Sequence, residues 1–115
     1  MFVITYTSID DKDDQSIWVA QWPNGIEPVM EWLASLSDPY RDRIEARINR
    51  IKQGNYGDHK RFHGIIEIRM DFGKGYRLYC VEDGKILVLL LVGGDKSTQD
   101  KDIQKALEYW RDYNE

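Results

Sequence analysis

The sequence predicts an α+β domain: an antiparallel sheet meander packed against an N-terminal αα-hairpin, with a C-terminal helix. Three observations carry this. Short segments rich in β-branched and aromatic residues flank a central block with helical periodicity. The apolar run Ile86 to Val92 has the length of a strand buried on both faces. No repeat, linker or low-complexity stretch interrupts 115 residues, the length of one domain. Residues 1–115 are therefore read as a single domain, with 1–25 as an extended N-terminal hairpin.

Each element has its own signal. Phe2-Val3-Ile4-Thr5-Tyr6-Thr7 reads as a strand. Asp10 to Asp14 is a charged turn, and Ile17 to Trp22 is a second strand and the first one's hairpin partner. Pro23-Asn24-Gly25 ends it. A helix from Glu27 to Leu36 places Val29, Met30, Trp32, Leu33 and Leu36 at helical spacing. Asp38 as N-cap and Pro39 in the first helical position start the next helix, which runs to about Gln53. Tyr40, Ile44, Ile48 and Ile51 form its apolar stripe, with Arg41, Arg43, Arg47, Arg50 and Lys52 opposite, and Gly54 ends it. After the loop Asn55–Asp58, Ile65 to Asp71 alternates apolar and charged residues, the pattern of a half-buried strand. Phe72–Gly75 turns the chain, Tyr76 to Val81 is the next strand, and Glu82–Lys85 is a tight hairpin turn. Gly93–Thr98 is a loop. A helix from about Gln99 to Tyr113 puts Ile103, Ala106, Leu107 and Trp110 on one face.

Composition excludes several classes. With 42% apolar and 31% charged residues the chain reads as globular. No run approaches a membrane span and no signal-peptide pattern opens the chain, so a cytoplasmic location is expected. The single cysteine, Cys80, excludes an internal disulfide. His59, His63 and Cys80 match no metal-ligand spacing, and no metal or cofactor is expected. There is no Walker loop, nucleophile elbow or His-Glu-x-x-His. The net charge of −4 is unevenly spread: residues 1–40 carry −6, residues 41–79 carry +5 and residues 80–115 carry −3. Phosphate binding depends on local Lys and Arg rather than on the total, so the basic middle third is an electrostatic footprint.

Within that third a basic set falls on the meander. Lys60 and Arg61 precede its first strand, Arg69 lies on that strand and Arg77 on the next. Lys96 follows the third strand. Neighbouring strands lie about 4.8 Å apart, so Arg69 and Arg77 on one face converge on a single phosphate. The alternative is a solvated sheet face with ion pairs to Glu67, Asp71 and Glu82.

Residues 54–60, Gly-Asn-Tyr-Gly-Asp-His-Lys, resemble the Gly-Asn-x-Gly-Asp-x-Lys segment of RelE/ParE-superfamily toxins described as addiction-module killer proteins, close to HigB. Glu67-Ile68-Arg69 is similar to that family's Glu-Leu-Arg, and Gly75-Tyr76-Arg77-Leu78-Tyr79 to its Gly-Tyr-Arg-Val-Tyr. Gly93-Gly94-Asp95-Lys96-Ser97-Thr98-Gln99 matches its Gly-Gly-Asp-Lys-Ser-Thr-Gln. Trp32, Leu33, Asp102, Ile103 and Trp110 also fit, and the likeness spans about residues 28–112. The N-terminal hairpin extends beyond the family's single leading strand.

The resemblance implies a RelE/ParE-like fold and the toxin of a type II toxin–antitoxin system, a ribosome-dependent mRNA endoribonuclease working without metal. Its implied partners are a helix-turn-helix, HigA-like antitoxin, mRNA and the ribosome. It implies Lys60, Arg69, Arg77 and Lys96 as the catalytic set. RNA is cut when its own 2′-hydroxyl attacks the adjacent phosphate. Preorganised cations then stabilise the phosphorane, each worth roughly 3–4 kcal/mol, and arginine's planar fork suits that role. Crowding by like charge favours the neutral amine, which makes Lys60 the candidate general base, with Lys96 second and His63 a rival. Arg61, His63, Tyr76 and Tyr79 are candidate RNA contacts, the tyrosines by stacking on a base. Two other readings stay open: a ParE-like toxin that binds DNA gyrase, and an inactive scaffold that only pairs with the antitoxin.

Overall fold

A strand sends successive side chains to opposite faces of its sheet, and in this protein both faces are apolar. The computed structural model describes residues 2–5, 16–84 and 87–114. The strands are β1 (Phe2–Thr5), β2 (Ser16–Gln21), β3 (His59–Phe62), β4 (Ile65–Arg69), β5 (Arg77–Asp83) and β6 (Leu87–Gly94). The helices are α1 (Pro28–Ser35), α2 (Asp38–Lys52) and α3 (Gln99–Asn114), with a 3₁₀ turn at Lys96–Thr98. One six-stranded sheet holds all the strands in the order β1-β2-β6-β5-β4-β3.

The two faces have separate covers. Ile66 and Ile68 of β4, Leu78 and Cys80 of β5, and Val88 and Leu90 of β6 pack against Val29 and Leu33 of α1 and Ile44, Ile48 and Ile51 of α2. The alternate residues Ile65, Tyr79, Val81, Leu89 and Leu91 pack under α3 through Ala106, Ile103, Leu107 and Trp110. Burying each large aliphatic side chain stabilises the fold by about 1.5–3 kcal/mol. Val88 to Leu91 are all fully buried, as expected for a central strand.

The α+β architecture agrees with the sequence prediction, and several details correct it. β3 to β6 are antiparallel, but β2 joins β6 in parallel, so the sheet is mixed rather than wholly antiparallel. The meander has four strands, because residues 59–62 pair with β4 instead of forming a lead-in. Its first turn, His63-Gly64, has φ of 50° and 81°, the left-handed geometry of a two-residue hairpin. β4 is buried on both faces rather than half-buried: α3 covers the charged side of the alternation, and Glu67 is 1% exposed. Ser37, not Asp38, is the N-cap of α2, and the Asp38 carboxylate pairs with Arg41 one turn on. Lys52 is buried instead of lying on the polar face. Gly93 and Gly94 belong to β6 rather than to a loop. The expected charged turn at Asp10–Asp14 lies outside the described residues, as does part of the Glu82–Lys85 turn. No helix among the described residues is long and apolar enough to cross a membrane.

Gly93 is where α1 meets the sheet most closely. A Cβ there would lie 2.0 Å from the half-buried Trp32 ring, which packs against the helix-pair core. Gly93→Ala is therefore expected to destabilise the fold by about 1–3 kcal/mol through overpacking. The check is a lowered urea midpoint with an unchanged m-value.

Candidate functional site

Antiparallel register sets Arg69 directly across from Arg77. Both follow the alternation of Ile65, Glu67, Tyr79 and Val81, so both lie on the α3 face. Lys60 stands across from Glu67 on that same face. Lys60, Glu67, Tyr79 and Val92 thus form one cross-strand row, and Arg69, Arg77 and Gly94 the next.

Like charges placed opposite each other repel, and the fold answers with local acceptors. Arg69 Nε donates to Glu67 Oε1 at 3.0 Å, and Gln99 Nε2 at the start of α3 donates to Glu67 Oε2 at 2.9 Å. Burial pushes the Glu67 carboxyl up, but the Gln99 and Arg69 hydrogen bonds outweigh it and hold its pKa below the ordinary value. The same bond to Glu67 raises Arg69, whose side chain remains 35% exposed. Arg77 is drawn inward and is only 7% exposed. Its Nη1 donates to the carbonyls of Gly75 at 3.1 Å and Tyr76 at 3.0 Å, while its buried Nε has no hydrogen-bond partner among the described residues.

Lys96 is exposed and reaches the same corner. Its aliphatic stem lies against Gly75, where a Cβ would sit 2.9 Å from Cγ, Cδ and Cε. Gly75 has φ +73° and so accepts both the turn and the lysine above it. Arg77 and Lys96 therefore meet at one glycine. Asp95 fixes the Lys96 turn by accepting from Ser97 N at 2.7 Å.

The remaining sequence candidates fall elsewhere. Lys60 is exposed on β3, with Nζ 5.7 Å from the Phe62 ring centroid. Arg61 points to the opposite face, where Nη1 donates to Glu82 Oε1 at 2.7 Å and Tyr56 Oη donates to Oε2 at 2.6 Å. Tyr76 is buried among Trp32, Tyr40 and Phe72, and Tyr79 is fully buried under α3 with its pKa raised by burial. Neither tyrosine is available to stack on a base, which corrects that expectation. His63 sits in the β3–β4 turn, beyond the far end of β4 from Arg69, and the strand alone spans roughly 13 Å between them. The structure thus gathers Arg69, Arg77 and Lys96 at one corner with Lys60 on the same face, and leaves Arg61 and His63 away from it. No group of three His, Cys, Asp or Glu among the described residues is placed to hold a metal.

Gln99 is the site residue that sequence reasoning passed over; Glu67 entered it only as an ion-pair partner, and the pairs Arg69–Glu67 and Arg61–Glu82 are formed as that alternative expected. The signal for Glu67 was its i, i+2 spacing from Arg69, which places both side chains on one face of a strand. Gln99 carried none, because only the docking of α3 brings it there.

This arrangement defines a class: a small α+β domain with one cationic cross-strand corner at the end of its sheet. The chain belongs to the family "Phage derived protein Gp49-like (DUF891)", whose model matches residues 31–111. That family falls within the RelE/HigB-like group of toxin–antitoxin toxins. An uncharacterized protein of Haemophilus influenzae is 51% identical over 77 residues, covering 65% of this chain and 78% of its own length. No solved structure matches the chain.

A group whose folded pKa is lowered stabilises the fold above its unfolded pKa, and that contribution disappears as pH falls through the folded value. Glu67 behaves this way. Glu67→Gln is expected to be less stable than wild type near neutral pH, with the gap narrowing from about pH 5 downward. Denaturant midpoints measured across that range check it, and a constant gap would remove the assigned role of the Glu67 charge.

Proposed function

We propose that the chain is the toxin of a type II toxin–antitoxin pair and cuts mRNA on the ribosome. Family membership supports the toxin reading. One geometric observation supports RNA cleavage: Arg69 and Arg77 face each other across one pair of strands, and Lys96 meets Arg77 at Gly75.

The reaction needs little covalent help from the protein. The 2′-hydroxyl loses its proton to a base, and its oxygen forms a bond to the neighbouring phosphorus. The 5′-oxygen leaves and takes a proton. Lys60 is the candidate base, and Lys96 is the candidate proton donor. Arg69 is the exposed guanidinium on the phosphorane oxygens, and Arg77 stiffens the corner through the Gly75 and Tyr76 carbonyls. The partner is an antitoxin of the helix-turn-helix, HigA-like kind, and the ribosome presents the message.

The inward turn of Arg77 favours a second reading, in which the same face binds a target such as DNA gyrase without cutting RNA. Induction in cells separates the two. The nuclease reading predicts growth arrest with cleaved messages, and a 100- to 1,000-fold slower cleavage for Arg69→Ala, the usual cost of losing one preorganised donor. Lys60→Ala is expected to lose about 100- to 10,000-fold. Intact messages together with a DNA-damage response would support the binding reading instead.

A further inference from the structure

A second basic feature lies outside the corner described above. Between α2 and the end of β4 runs a cleft of about 310 Å³. Arg43, Arg47, Arg50 and Arg69 line it with Asp58 and Asp71. The three α2 arginines are spaced i, i+4, i+7, so they share one helix face.

Their roles differ. Arg47 is a brace: Nη1 donates to the Arg69 carbonyl at 2.9 Å, and Nη2 donates to the carbonyls of Tyr56 at 2.9 Å and Asp58 at 3.2 Å. Gly57 makes room for it, since a Cβ there would sit 2.8 Å from Nη2. Burial and then Arg50 lower the Arg47 pKa, while Asp58 and Asp71 oppose them. Asp58 and Asp71 offset part of the positive charge of the cleft they line, which keeps four arginines to two carboxylates, and Glu67 holds Arg69. Arg43 and Arg50 are left over. Both are exposed, and neither guanidinium has an ion pair or hydrogen bond among the described residues. Arg43 Cζ lies over the Phe72 ring, 3.9 Å from its centroid, a cation–π contact that helps to hold the guanidinium in place.

Two unneutralised guanidiniums in a concave site, one prepositioned on an aromatic ring, form a receptor for closely spaced phosphates. The cleft lies on the α2 side and the corner on the α3 face, and the two meet at Arg69 at the end of β4, whose carbonyl binds Arg47 and whose side chain binds Glu67. We infer that the α2–β4 cleft is a backbone-binding track for single-stranded RNA, in which Arg43 and Arg50 grip phosphodiesters flanking the one at Arg69. The inference rests on the RNA reading of the corner and adds the path of the strand across the protein.

The test is the salt dependence of binding to a short fluorescent single-stranded RNA, with inorganic polyphosphate as a second probe. Each phosphate contact on a single strand contributes about 0.7 to the slope of log K against log salt. The double variant Arg43→Ala/Arg50→Ala is expected to lose about 1.4 from that slope. Arg43→Lys/Arg50→Lys, which keeps the charges, is expected to recover most of it. Equal unfolding midpoints guard against a folding defect. If wild type binds RNA and the alanine pair keeps its slope and affinity, the track is refuted while the RNA reading stands. Wild type that binds polyphosphate through Arg43 and Arg50 but ignores RNA would overturn the RNA assignment and leave a bare anion site. Binding to neither probe would overturn both.

Discussion

Two arginines facing each other across neighbouring strands cannot be left uncompensated. At a cross-strand separation, like charges raise the energy of the sheet, and the structure around Arg69 and Arg77 answers that cost. Glu67 neutralises one, the Gly75 and Tyr76 carbonyls accept from the other, and Gln99 ties the Glu67 carboxylate to α3. The electrostatics of the corner, the docking of α3 and the burial of β4 on its charged side are therefore one problem with one solution. An arriving phosphodiester would add a second anion to a corner that holds one buried carboxylate and three cationic groups. The Gly75 and Tyr76 carbonyls hold Arg77 in place.

The glycines carry the geometry that this solution requires. Gly75 adopts a left-handed conformation at the point where Arg77 donates and Lys96 lies overhead. Gly94 faces Asp102 so closely that a Cβ would lie 1.8 Å from Oδ2. Asp102 accepts from Thr98 Oγ1 at 2.6 Å, and burial raises its pKa. The end of β6, the 3₁₀ turn and the first turn of α3 are thereby held together, which fixes where Lys96 emerges.

Much of this was legible in the chain. Ile44, Ile48 and Ile51 announced the buried stripe of α2, and the apolar run ending at Val92 announced a central strand. Arg69, Arg77 and Lys96 were readable as a group because alternation and strand spacing are local rules. What escaped was set by contacts distant in sequence. The parallel entry of β2 beside β6 depends on which edge the N-terminal hairpin finds, and nothing in residues 16–21 encodes that. The polar side of β4 read as solvent-facing because the pattern does not reveal that α3 lies over it. Arg61 read as one of the basic group, yet strand β3 places it on the other face, opposite Ile66 and beside Glu82. Likewise, the arginine stripe of α2 was visible as a polar face, but its approach to the end of β4 was not.

In the proposed reaction, this face promotes attack by the RNA's own 2′-hydroxyl. The most direct measurement uses ribosome-bound messages that differ only by a single 2′-deoxy substitution at the cleavage position, incubated with the purified protein. The account predicts cleavage of the all-ribose message to a 2′,3′-cyclic phosphate and a 5′-hydroxyl, and no cleavage at the deoxy position. Equal cleavage of both messages, or a 5′-phosphate end, would contradict it.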